Sequence, residues 1–305
     1  MGEMPFPLAQ FATRQNTPAV SALHPARSQF DASRVLRLWH LASLDAPTVA
    51  VVWSLAFASV AKIYLPFWVP VLLALATWSI YIGDRLLDAR RALRTGALHS
   101  LRERHFFHWR HRRLLLPSAG MAALLAAGII FTCMPVLARE RNSVLAVAAL
   151  AYFSGVHLPH HRSQRFAALL SKEFLVGVLF TAGCALPTLS RVWLVHTAPR
   201  LFFPWIVPVV FFAALAWLNC CAIDCWESRA PSRIVTHAGL LALPGLAFAA
   251  LLASAEPASA ALLLAGCASL GLLALLDRFR DGMTPVSLRA AADLVLLTPL
   301  ALLLR

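Results

Sequence analysis

The sequence predicts an all-α polytopic membrane protein, a bundle of nine transmembrane helices. Three observations carry this. Apolar residues make up 60% of the 305 positions, above the roughly half of a soluble domain, and only 13% are charged, against roughly 25%. The mean hydropathy is +0.71. The apolar residues fall in long continuous runs, several near the roughly 20 residues that cross a bilayer as a helix. A transmembrane barrel would alternate with period two instead.

The first 29 residues are rich in Pro, Ser, Thr and Ala. No apolar core follows a basic start, so they are expected to be a disordered cytosolic tail rather than a secretory signal. Residues 30–305 are expected to form the transmembrane domain. Within it, 30–44 sets Val35, Leu38, Trp39 and Leu41–Ala42 largely to one side, with Arg34 and Arg37 elsewhere. That pattern suits an amphipathic helix on the membrane surface. The spans are then expected at about 45–61, 66–83, 114–138, 142–156, 174–189, 202–221, 234–254, 258–276 and 288–304. Basic chain at 90–113, a His-rich stretch from 157, a polar stretch at 222–233 and a loop at 277–289 separate them. Asp45 opens the first span ahead of Pro47 as a helix cap.

The charge pattern orients the bundle. With the N-terminus inside, the tail, the surface helix and the loops at 84–113, 157–173, 222–233 and 277–289 hold 21 of the 27 Lys and Arg residues. Such a split predicts an N-in, C-out topology in a membrane such as the bacterial inner membrane. It also accounts for the net charge of +13 without nucleic acid as a partner. The six cysteines, at 133, 184, 220, 221, 225 and 267, show neither disulfide nor zinc spacing and suit buried thiols.

Two acidic groups stand out on the cytosolic side. Asp84 and Asp88 end the second span four apart, on one helical face. Asp224 and Glu227 follow the sixth span three apart, with Asn219 one to two turns earlier. Carboxylates at a membrane-facing helix end are costly to desolvate without cationic partners. Mg²⁺ takes oxygen ligands, one or two carboxylates per ion plus phosphates and water. The expectation is that Asp84, Asp88, Asp224 and Glu227 hold Mg²⁺ and through it the diphosphate of a lipid-like substrate. Arg85, Lys172, Arg229 and Arg233 are candidate diphosphate partners. Arg85 could equally pair with its carboxylate neighbours, and Arg229 and Arg233 also read as ordinary positive-inside residues.

The layout resembles the UbiA superfamily of intramembrane prenyltransferases over about residues 34–304. The family's first motif, NDxxDxxxD, falls on residues 80–88. Asp84 and Asp88 match its last two carboxylates, while Ile80 and Tyr81 stand where it has Asn and Asp. Its second motif, roughly DxxDxxxD, falls on Asp224, Glu227 and Pro231. Lys172 resembles a basic residue the family places at the start of the fifth span. The resemblance implies transfer of a polyprenyl group from its diphosphate to a lipophilic, aromatic or quinone-like acceptor, with Mg²⁺ as cofactor and the lipid bilayer as surroundings. The alternative is a non-catalytic UbiA-like protein that binds a lipid or assists a partner, motivated by Ile80 and Tyr81. A CDP-alcohol phosphotransferase is disfavoured because its DGxxAR motif is absent. A transporter is disfavoured because charges do not recur through the middle of several spans.

Other polar residues have plainer readings. His99, His105, His108 and His111 sit among arginines, as in a solvated loop that meets anionic lipid. Asp277 and Asp281 suit a solvated loop. Asp293 lies inside the ninth span, where an ionisable residue is a functional candidate, with pairing to Arg289 one turn earlier as the structural explanation.

Overall fold

The computed structural model describes residues 32–96, 101–157, 172–195 and 202–304. The expected tail at 1–29, His99 and the stretch 158–171 lie outside them. All described regular structure is helical. In order, the helices are α1 (Ala32–Leu41), α2 (Asp45–Val60), α3 (Trp68–Thr95), α4 (Glu103–Arg110), α5 (Arg112–Cys133) and α6 (Val136–His157). They continue with α7 (Lys172–Val195), α8 (Phe202–Ser228), α9 (Ile234–Leu252), α10 (Pro257–Phe279), α11 (Pro285–Leu294) and α12 (Leu300–Leu303).

Seven stretches among the described residues are long and apolar enough to cross a membrane. They lie in α3, α5, α7, α8, α9, α10 and the run Pro285–Leu303. An eighth is possible if α1 and α2, bent by 87° at their junction, act as one. Alone, α2 has only 16 residues. Helix α6 covers the expected fourth span, but Arg139, Glu140 and Arg141 interrupt its apolar run, and it is not among the seven.

The polar connections differ from the expected loops. Helix α3 runs past Gly83 through both aspartates to Thr95, where Gly96 ends it with φ 72°. A left-handed residue closes a helix in this way, and only glycine adopts it without strain. The basic stretch after it is mostly α4, a short helix packed against α3 and α5. Likewise α8 carries on through Asp224 and Glu227. The helices outlast the apolar runs because Arg, Leu, Ala and Glu favour helix as readily as the apolar residues before them.

Helix α2 is the centre of the bundle, packing on α3, α7, α8, α10, α11 and α12. Its sequence is apolar on all sides, as a helix surrounded by others requires. Trp53 and Phe57 are fully buried there, and Trp53 stacks on Phe212 of α8 with ring centroids 3.9 Å apart. In a membrane, helix association depends on close packing and interhelical hydrogen bonds. Trp53 donates to Leu296 O (2.8 Å) and Trp205 to Phe57 O (3.2 Å). Small residues allow the closest approaches. A Cβ at Gly177 of α7 would stand 2.8 Å from the Trp217 backbone nitrogen of α8.

Candidate functional site

The polar centre of the molecule is built at the elbow between α1 and α2. The chain turns by 87° through Ala42, Ser43 and Leu44, with Ser43 at φ 58° and with backbone bonds from Ser43 N to His40 O (3.0 Å) and Leu44 N to Trp39 O (3.1 Å). This folds His40 back onto Asp45, and Nδ1 lies 2.5 Å from Oδ2. Both side chains are 1% exposed. Asp45 is therefore no helix cap. Its Oδ1 accepts from the adjacent Ala46 N–H (2.9 Å), and Oδ2 faces His40.

Arg85 turns inward from α3 onto this elbow. It donates to His40 O (3.2 Å) and to the Ser43 hydroxyl, and stands 3.7 Å from Asp45 Oδ2. Arg85 thus pairs with a carboxylate at the far end of the first apolar run, which proximity in sequence did not suggest. From the other side, α11 supplies Asp293 and α8 supplies Asn219, whose amide nitrogen lies 3.3 Å from Asp293 Oδ1. Ligand atoms of His40, Asp45 and Asp293 all lie within 4.8 Å of one another.

Above this centre, α4 joins the two acidic helix ends. Arg104 donates to Glu227 Oε1 (2.6 Å), and its neighbour His105 places Nε2 3.8 Å from Asp88 Oδ2. Glu227 also accepts from Arg289 (2.7 Å) and lies 3.6 Å from Arg102. Arg289 therefore engages Glu227 from one turn before Asp293. His108 is fully buried, 3.0 Å from the Ser43 hydroxyl and 2.7 Å from Arg104 O. One proton arrangement satisfies the chain: Arg85 donates to Ser43, Ser43 to His108 Nε2, and His108 Nδ1–H to Arg104 O.

That arrangement needs a neutral imidazole. Burial first, then the Arg85 charge, push His108 down to about 4, against the favourable hydrogen bond to Arg104 O. Burial and the Arg104 charge push His105 down to about 3. Burial and the Arg289 charge lower Arg104 to about 10, opposed by Glu227. His105 and His108 are thus buried within α4 and are not members of a solvated loop. Asp277 differs from expectation in the same sense. It is buried and accepts from the Trp226 indole (2.7 Å).

The structure places the other sequence-predicted residues as follows. Asp84 and Asp88 lie one turn apart on α3, both partly exposed. Asp88 and Glu227 each meet one of two neighbouring α4 residues, His105 and Arg104. Asp224, Lys172 and Arg229 are exposed, and Arg229 leaves α8 with φ 55°. Asn219 is buried and reaches Asp293. Among the described residues, no three of Asp84, Asp88, Asp224 and Glu227 bring ligand oxygens within 4.8 Å of one another. Asp84 and Asp88 have the spacing and exposure for one oxygen-preferring ion shared with phosphate. Glu227 fits an ion less well, because both its oxygens face guanidinium groups.

The sequence alone reads Asp45 as a cap and His105 and His108 as loop residues, and gives Arg104 and His40 no role. The available signal was Asp45 and Asp293, carboxylates beside or inside apolar runs, where an unpartnered charge is costly. No family model matches this chain, and neither a curated protein nor a solved structure matches it.

Proposed function

We propose that the protein is a UbiA-like intramembrane prenyltransferase with nine crossings and a cytosolic N-terminus, acting on a polyprenyl diphosphate and a lipophilic aromatic or quinone-like acceptor. The observation that carries this reading is the pair Arg104 and His105. Adjacent on α4, they lie against Glu227 and Asp88, so α4 links the acidic ends of α3 and α8.

Asp84 and Asp88 would hold Mg²⁺, which draws charge from the departing diphosphate when bound. Arg102 and Arg104, already assembled on Glu227, offer hydrogen bonds to the same developing charge. In this reading Glu227 positions these guanidinium groups, and Asp224 and Lys172 meet the substrate headgroup at the exposed rim. The apolar bundle below excludes water from the prenyl chain and from an allylic cation.

The test is Mg²⁺-dependent diphosphate release from a labelled prenyl diphosphate by the purified protein, compared with Asp84→Asn and Asp88→Asn. The reading expects loss of release in both variants. Equal rates in all three would defeat it.

The non-catalytic reading has its own support in Ile80 and Tyr81 and in the engagement of Glu227 by arginines. It expects calorimetric binding of the prenyl diphosphate with no turnover. Accessibility of single cysteines placed at either end of the chain tests the N-in, C-out orientation.

A further inference from the structure

Neither the diphosphate mouth nor the packing of the bundle accounts for the group formed by His40, Asp45 and Asp293. It joins three elements, α1, α2 and α11, below the α4 layer. His40 and Asp45 are almost completely buried and Asp293 is partly buried. Two carboxylates and an imidazole within 4.8 Å of one another repel unless a proton or a cation lies among them.

The neighbouring arginines offset this charge only from a distance, and among the described residues neither donates a hydrogen bond to Asp45 or Asp293. Arg85 spends its Nη1 on His40 O and Ser43 Oγ and stands 3.7 Å from Asp45 Oδ2. Arg289 directs its Nη1 to Glu227. A fourth side chain adds an independent observation. Asn219 is 4% exposed and its Nδ2 donates to Asp293, while among the described residues Oδ1 has no hydrogen-bond partner. A buried acceptor left without a donor is expensive. Turning this amide over, a change that preserves its shape, brings Oδ1 to the carboxylate where Nδ2 now lies.

We propose that His40, Asp45, Asp293 and Asn219 form a binding site for one divalent first-row transition-metal ion, separate from Asp84 and Asp88. An ion at roughly 2.1 Å from each donor holds its ligands roughly 3–4 Å apart, so small side-chain shifts close the present spacing. One imidazole nitrogen with carboxylate and amide oxygens suits Mn²⁺ or Zn²⁺, whereas Mg²⁺ and Ca²⁺ favour all-oxygen shells. Binding releases the proton shared within the group. The ion ties the α1–α2 elbow to α8 and α11, a role that does not require prenyl transfer.

The experiment uses the full chain in detergent, stripped with chelator and titrated with Mn²⁺ or Zn²⁺ in the absence of prenyl diphosphate. Bound metal is read by electron paramagnetic resonance for Mn²⁺ and by elemental analysis for Zn²⁺. The site predicts one equivalent bound by the wild type in addition to any ion held at Asp84 and Asp88, with at least about tenfold weaker binding of that equivalent in Asp293→Asn and in Asn219→Leu. Asp293→Asn keeps the side-chain shape, and a melting curve establishes that each variant is folded. Should one variant not fold, the other decides. Absence of bound metal in the wild type at excess ion would overturn the site and leave a shared proton in its place. Undiminished binding in the folded variants would overturn it equally. Because no turnover is measured, this result is independent of the prenyl transfer assay.

Discussion

Arg104 and Glu227, 123 positions apart, meet at 2.6 Å where α4 crosses the end of α8. Glu227 is the hub of the basic layer, since Arg289 shares the same carboxylate oxygen at 2.7 Å. Three guanidinium groups around one carboxylate repel each other when it is removed. Glu227→Gln is expected to lower stability by about 1.5–3 kcal/mol, the range for hydrogen bonds to charged groups. Arg104→Met is expected to cost less, because Glu227 keeps Arg289. Melting of both variants and of the double mutant measures the coupling. A double mutant whose loss equals the sum of the singles would show the pair to be uncoupled.

Protonation of α4 gives a pH dependence of defined sign. His105 and His108 titrate at about 3 and about 4 in the folded chain, against 6.5 for a free imidazole. Above pH 6.5 neither state carries these protons and the pair contributes no slope. Below it, the unfolded chain takes up protons that the folded site refuses, so stability falls as the pH drops from about 6.5 towards about 3. Melting temperature followed across that window checks this. Replacing both residues with Gln is expected to flatten the fall.

Two glycines on α7 are expected to respond in opposite directions. At Gly177 a Cβ would meet the Trp217 backbone at 2.8 Å, so Gly177→Ala forces α7 and α8 apart, costing about 1–3 kcal/mol. At Gly183 nothing lies within 4 Å. There Gly183→Ala gains helix propensity of up to about 1 kcal/mol. Thermal melts of the two variants in the same detergent compare them directly.

The aromatic centre gives the largest expected loss in the apolar core. Trp53→Ala removes the stack on Phe212 and leaves Leu296 O without its indole donor. The expected cost is about 3–5 kcal/mol. Trp53→Phe retains the ring and loses the donor, and is expected to fall between wild type and Ala in a denaturation series.

Much of the architecture was legible in the linear chain. Apolar runs mark helices because a bilayer requires internal pairing of every backbone group, and helical chain covers most of each run, with breaks at Met134–Pro135 and Thr298–Pro299. The elbow before Asp45 was legible as the change from an amphipathic pattern, with Arg34 and Arg37, to an apolar one. Polar segments misled. Where Asp84, Asp88, Asp224 and Glu227 follow apolar runs, hydropathy suggested loops, while helix propensity carried α3 and α8 onward. The charge count suggested a solvated basic loop and gave no hint that α4 would bury His105 and His108.

By itself, then, the sequence determined the helical class and the long apolar helices compatible with a multi-pass membrane protein, because these depend on local hydropathy and on the backbone's need for hydrogen bonds. Only the tertiary structure decided which charges meet. Arg85 met Asp45, Glu227 gathered arginines from α4 and α11, and Asp293 joined His40 and Asn219. Those choices follow from burial, since a desolvated charge is stabilised by whichever partner the packing of distant helices brings within reach.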